Sequence, residues 1–162
     1  MQTFVPLFGS ADTAQVLDRA RLNKQALEGW QILMNLVQLD PQGDHRVSKG
    51  WSNHPAVKMW RGHEGVLVSY ILRMVLEWEK RGYKSTIGQK TLQTYIQAVR
   101  LGRITRDNHR YPAWMKDKEL FAQIASSHRT ALLNKDYEWY SQFNWPEDDG
   151  KRPDSYTYIW PV

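Results

Sequence analysis

Between residues 54 and 81, Val57, Trp60, Leu67, Ile71, Met74 and Trp78 recur at helical spacing, which stacks them on one face of a helix. Val66, Tyr70 and Val75 broaden that face, so the segment predicts a central core helix that other elements must cover. Pro55 opens it in the first turn, where proline's missing N–H costs little, and Gly82 stops it. Residues 12 to 38 repeat the period: Val16, Ala20, Leu27, Trp30 and Met34 share one side, with Leu22, Ala26, Leu33 and Leu36 beside them. Ser10 or Asp12 caps this helix and Asp40-Pro41-Gln42-Gly43 ends it. Residues 86 to 101 carry both helix and strand tendencies and are read as a short helix. Arg103 to Tyr111 reads as a basic loop, Pro112-Ala113-Trp114 as a turn, and Asp117 caps a helix to about Asn134. Tyr137, Trp139, Tyr140, Phe143, Trp145, Tyr156, Tyr158 and Trp160, interrupted by prolines, predict a tail that wraps over the helices. The expected fold class is all-α: one compact domain over residues 1–162, a helical bundle with a long irregular aromatic C-terminal segment.

A chain of 162 residues can bury roughly two thirds of its unfolded surface, so it needs no staple. It has no cysteine, which removes disulfides and thiolate chemistry, permits a reducing compartment and makes the cell interior the default. The N-terminus lacks a basic leader, and no apolar run approaches the ~20 residues that cross a bilayer. No membrane partner is expected. The five histidines lack metal-ligand spacing, since His63-Glu64 has no second histidine four residues on, so no metal is expected. There is no glycine-rich phosphate loop and no nucleophile elbow. The net charge of +5 and a pI near 9.5 favour a polyanionic partner. Eight Trp and eight Tyr among these cations suit stacking on bases.

A polar row interrupts the first helix. Arg21, Lys24, Gln25, Glu28, Gln31 and Asn35 align along one face, and a carboxylate amid cations and amides can move protons or steady a cationic intermediate. A solvated helix face is the competing reading of this row. Asn53 and His54, and later Ser127-His128-Arg129 with Lys135, could converge on it. His54 acting only as a helix cap, and Arg129 and Lys135 as solvent-facing charge, remain alternatives.

The order Leu-Asp-x-x-Arg-Leu-x-Lys-Gln-x-x-Glu at 17–28, Asn-His-Pro-Ala-Val-x-Met-Trp at 53–60, Arg81-Gly82-Tyr83 and Ser-His-Arg-x-x-Leu-x-x-Lys at 127–135 resembles the pyrimidine dimer DNA glycosylase family. The phage endonuclease V enzymes are its best-known members. The resemblance implies a cofactor-free, mostly helical, monomeric enzyme that binds duplex DNA, kinks it and displaces a base. An amine then attacks the sugar C1′, and the resulting imine permits β-elimination. By position Glu28 matches the catalytic glutamate. The phage nucleophile is the α-amine of a threonine exposed by methionine removal, whereas this chain reads Met1-Gln2-Thr3, and Gln2 is too bulky for ordinary removal. The amine is therefore expected on Met1, displaced by up to about 3.5 Å. An unperturbed α-amine titrates near 7.8 and a lysine near 10.4, so roughly one α-amine in seven is neutral at pH 7 against about one lysine in 2,500. A buried Lys24 is the second choice, and water activated by Glu28 the third.

The resemblance places Arg21, Arg61, Arg129 and Lys135, with Lys24, on phosphates, and Gln25, Gln31, Asn53, His54 and His128 in the DNA-binding set. Trp139 or Tyr140 would stack. Leu27 stands where the phage enzymes carry a second arginine, so the excised base is expected to be a damaged or modified pyrimidine rather than a dimer alone. Two rival readings are a DNA-binding module without chemistry and a small-molecule or nucleotide enzyme reusing the polar pocket.

Overall fold

Where the sequence predicts one helix over 12–38, the chain forms two. The computed structural model describes all 162 residues, with α1 at Ser10–Val16 and α2 at Arg19–Val37. Between them Leu17 and Asp18 are extended. The break has a polar cause. Asp18 caps α2 by accepting from the Arg21 N–H, and its carboxylate also takes the buried Tyr140 hydroxyl, partners that an aspartate inside a helix would lose. Leu17 enters the core fully buried. Arg81 closes the end of α1, donating to Leu17 O at 2.8 Å, Gln15 O at 3.1 Å and Ala14 O at 3.2 Å.

The predicted central helix also divides, into α3 (Pro55–Lys58) and α4 (Glu64–Lys80), because Gly62 turns the chain at φ +79°. Leu67, Ile71 and Met74 of α4 are fully buried, each contributing roughly 1.5–3 kcal/mol of apolar burial. α2 crosses α4 at Gly29, where a Cβ would stand 2.6 Å from Ile71 Cγ1. α2 buries Leu22, Gln25, Ala26, Gly29, Ile32 and Leu33, so Ala20 and Leu27, expected inside, are exposed.

α5 (Ile87–Arg100) is helical, and Trp30 Nε1 of α2 donates to its Thr94 at 2.9 Å. The 112–114 turn is a short helix, α6 (Ala113–Lys116). Asp117 then caps α7 (Lys118–Lys135) by accepting from the Glu119 and Leu120 amides. The tail starts with α8 (Tyr137–Tyr140) and a 3₁₀ turn (Ser141–Phe143) and then runs without regular structure. There is no strand; the fold is all-α. One cluster of 30 buried hydrophobic residues, from Phe4 to Trp145, forms the core. No helix is long and apolar enough to cross a membrane.

Candidate active site

Residues 2–5 run buried through the core, and side chains from α2, α4 and α7, with Trp60 of the α3–α4 turn, hold them in place. Gln25, 1% exposed, donates from Nε2 to Gln2 O at 2.9 Å and accepts the Phe4 N–H on Oε1 at 2.7 Å, much as a neighbouring strand would. The Tyr70 hydroxyl lies 2.8 Å from Phe4 O and 2.7 Å from Gln25 Oε1. Trp60 Nε1 donates to Thr3 Oγ1 at 2.9 Å, His128 Nδ1 accepts the Val5 N–H at 2.9 Å, and Arg129 donates to Pro6 O at 2.8 Å. Every backbone N–H from Gln2 to Val5 is thus paired, as are the carbonyls of Gln2, Phe4 and Pro6.

The segment emerges beside Glu28. Gln2 N donates to Glu28 Oε2 at 2.8 Å, so the α-amine of Met1 starts one residue, ~3.8 Å of chain, from that contact. Met1 and Glu28 both line two adjoining clefts. One, about 460 Å³, is bounded by Arg21, Lys24, Lys135, Tyr156 and Tyr158; the other, about 530 Å³, by Trp30, Gln31, Asn35, Arg46 and Trp51. Glu28 keeps 15% of its side chain exposed, enough for a ligand to reach it.

A family model described as pyrimidine dimer DNA glycosylase matches residues 1–91. This match spans more than half of the chain and includes the buried N-terminal segment, α2 and α4. The chain belongs to the pyrimidine dimer DNA glycosylase family. No curated protein and no solved structure shows a significant match.

Within this glycosylase scaffold the residues singled out in the sequence separate into three groups. Met1, Arg21, Lys24, Glu28, Gln31 and Lys135 line the clefts. Gln25, His128, Arg129 and Tyr140 face inward, Gln25 also forming part of the floor of the cleft beside Glu28. Gln25 and His128 hold the N-terminal segment, and burial takes the His128 imidazole down to about 3, so it is neutral. Arg129 grips Glu147 through two hydrogen bonds, at 2.7 and 2.8 Å, and this pairing holds Glu147 below the usual carboxylate range although burial pushes it up. Tyr140 is fully buried against Trp145, and burial together with Asp18 raises its hydroxyl pKa. Asn53, His54, Arg61 and Trp139 line neither cleft. Arg61 is exposed and donates to Ser52 O at 2.8 Å, and Trp139 Nε1 donates to Val16 O at 2.8 Å. His54 caps α3 by accepting the Ala56 N–H at 3.1 Å, its ring set against Trp51 and Trp160. Partial burial and the positive charge of the chain-terminal amine lower its pKa.

Lys24 is 71% exposed, with Nζ 4.0 Å from Glu28 Oε1, so the buried lysine considered as an alternative nucleophile is not present. Thr3, aligned with the phage nucleophile by residue type, is fully buried, while Met1 reaches the cleft. Arg46, Trp51, Tyr156 and Tyr158 also line the clefts, outside the residue set to which the sequence points. The alternation Tyr156-x-Tyr158-x-Trp160 was the available signal: in extended chain it turns all three rings to one side, and all three are half-buried while Thr157 and Ile159 are exposed. Lys135 donates to the Tyr156 hydroxyl at 2.8 Å and lowers its pKa. Burial, then Tyr156 and Glu28, raise that of Tyr158.

Proposed function

We propose that this protein is a DNA glycosylase with lyase activity, in which the Met1 α-amine is the nucleophile and Glu28 the carboxylate beside it. The observation that carries the reading is the N-terminal segment, fixed residue by residue so that its free end opens into a cationic cleft next to Glu28. Holding a nucleophile against a reacting carbon is worth most when the geometry is fixed before substrate arrives.

The neutral amine forms a bond to C1′ of the sugar as the C1′–N bond to the base breaks, and the base leaves with a proton. Glu28 offsets the positive charge that develops on the sugar. The amine gives up one proton to the departing base; a second, taken from solvent and relayed through Glu28, reaches O4′ as the ring opens and leaves a protonated imine. Loss of the C2′ proton then pushes an electron pair into the C2′–C3′ bond and expels the 3′ phosphate. Arg21, Lys24 and Lys135 face the phosphates. The cleft lined by Trp30, Trp51, Gln31 and Asn35 accepts the displaced base, and Asn35 Oδ1, buried without a partner, can take a donor from its edge. The excised base is a damaged or modified pyrimidine, and the enzyme needs no cofactor. The same geometry accommodates one residue of processing, because loss of Met1 would leave the new Gln2 amine at the position now 2.8 Å from Glu28.

Borohydride added with duplex carrying a pyrimidine dimer, or with abasic duplex, tests the reading, with an intact mass identifying which residue carries the amine. A covalent protein–DNA adduct at the N-terminal residue is expected. An adduct at Lys24 would redirect the nucleophile, and DNA binding without trapping or base release would leave a binding module on this fold.

A further inference from the structure

Pro41, which lines the cleft holding Glu28, also lines a third cleft of about 460 Å³ between the Pro41-Gln42-Gly43 turn and α5. Lys90, Gln93, Gln97 and Arg100 reach it from one face of α5, at spacings of three, four and three, and Gln42 from the turn. No acidic side chain lines it, and Ile96 is its one hydrophobic wall. None of these five polar side chains makes a hydrogen bond or ion pair within the protein. The wall behind them is rigid: Lys90 lies over the Trp30 ring at 5.4 Å, and Trp30 is in turn bonded to Thr94.

We propose that this cleft holds the sugar-phosphate backbone of the bound DNA, at a phosphodiester displaced along the strand from the reacting sugar. The assignment rests on the reading of the protein as DNA-acting. The chemistry discriminates between the clefts. Beside Glu28 two Trp rings and a buried acceptor suit the face and edge of a base, whereas here two cations and three amides, with no aromatic face, suit phosphate oxygens. Clefts joined at Met1 and Glu28, and again at Pro41, form a continuous path along which a strand can lie. Gln93, Gln97 and Arg100 lie beyond the stretch matched by the family model, whereas Gln42 and Lys90 lie within it.

The experiment measures the salt dependence of binding for two duplexes carrying a pyrimidine dimer, one long enough to reach α5 and one trimmed to the nucleotides flanking the lesion. Lys90→Gln with Arg100→Gln is expected to lower the slope of log K against log salt by about 1.8 on the long duplex, at ~0.9 per lost contact, and to leave the short duplex unchanged. Gln93→Glu with Gln97→Glu, which adds charge on an exposed helix face, should weaken binding of the long duplex alone. Equal slopes for wild type and both variants on the long duplex would overturn the assignment. So would loss on both duplexes alike, or phosphate competition abolished by the variants while the duplex slope stays the same, which would mark a free-phosphate site. Binding is read separately from chemistry, so a protein that shows the slope change without base release keeps the subsite and loses the glycosylase reading.

Discussion

In the proposed mechanism Glu28 acts through charge, not shape. Replacing it with Gln keeps the acceptor for Gln2 N–H and removes the negative charge, so DNA affinity should hold within a few-fold while single-turnover base release falls at least ~100-fold. Equal losses of binding and release would remove Glu28 from the chemistry. Gln25 is the contrasting case, a residue whose work is positional. Gln25→Leu leaves Gln2 O and Phe4 N without partners inside the protein and should cost about 2–4 kcal/mol in urea unfolding. His128 sets a pH limit on the fold. Its folded value of about 3 lies below the ordinary 6.5, so above pH 6.5 it is neutral folded or unfolded and adds no pH dependence. As pH falls below 6.5 the unfolded chain takes up a proton that the folded one refuses, and stability drops by about 1.4 kcal/mol per unit towards pH 3. Urea midpoints from pH 7 to 4 should show this slope, and His128→Gln should flatten it.

At the scale of elements, the two long predicted helices each broke where a polar group or a glycine had a better use. Asp18 illustrates why the break escapes periodicity: its decisive partner, Tyr140, lies 122 residues away. Tyr140→Phe removes the hydroxyl from both the Asp18 carboxylate and its N–H, and should destabilise the fold by about 1–3 kcal/mol in thermal or urea unfolding. α5, ambiguous in the sequence, became a helix because Trp30 and the α2 face give it something to pack against. Arg81 shows a motif residue whose work is structural, since it fastens the last carbonyls of α1 to the end of α4.

Across the whole molecule, the tail and the N-terminal segment line one cleft. Tyr158 packs against both Phe4 and His128, with ring centroids 6.2 and 5.6 Å apart, and Trp160 against His54. Removing residues 155–162 strips Tyr156 and Tyr158 from the cleft wall. At ~1–3 kcal/mol per stacked base, discrimination between dimer-containing and undamaged duplex should fall about ten-fold or more in competition binding. Unchanged discrimination would assign these rings to packing alone.

Helical spacing, the proline and glycine stops and the Asp117 cap depend on neighbours within a few residues, and so the all-α class, α7 and the row containing Arg21, Lys24, Glu28 and Gln31 were legible in the sequence. Which polar residues face the cleft and which face the core was not. Gln25 belongs to the same row by spacing, yet it turns inward because the backbone of residues 2–4 needs its amide; Tyr140 turns inward because Asp18 needs its hydroxyl. Long-range pairing of buried polar groups leaves no periodic trace, and only the packed chain decided it.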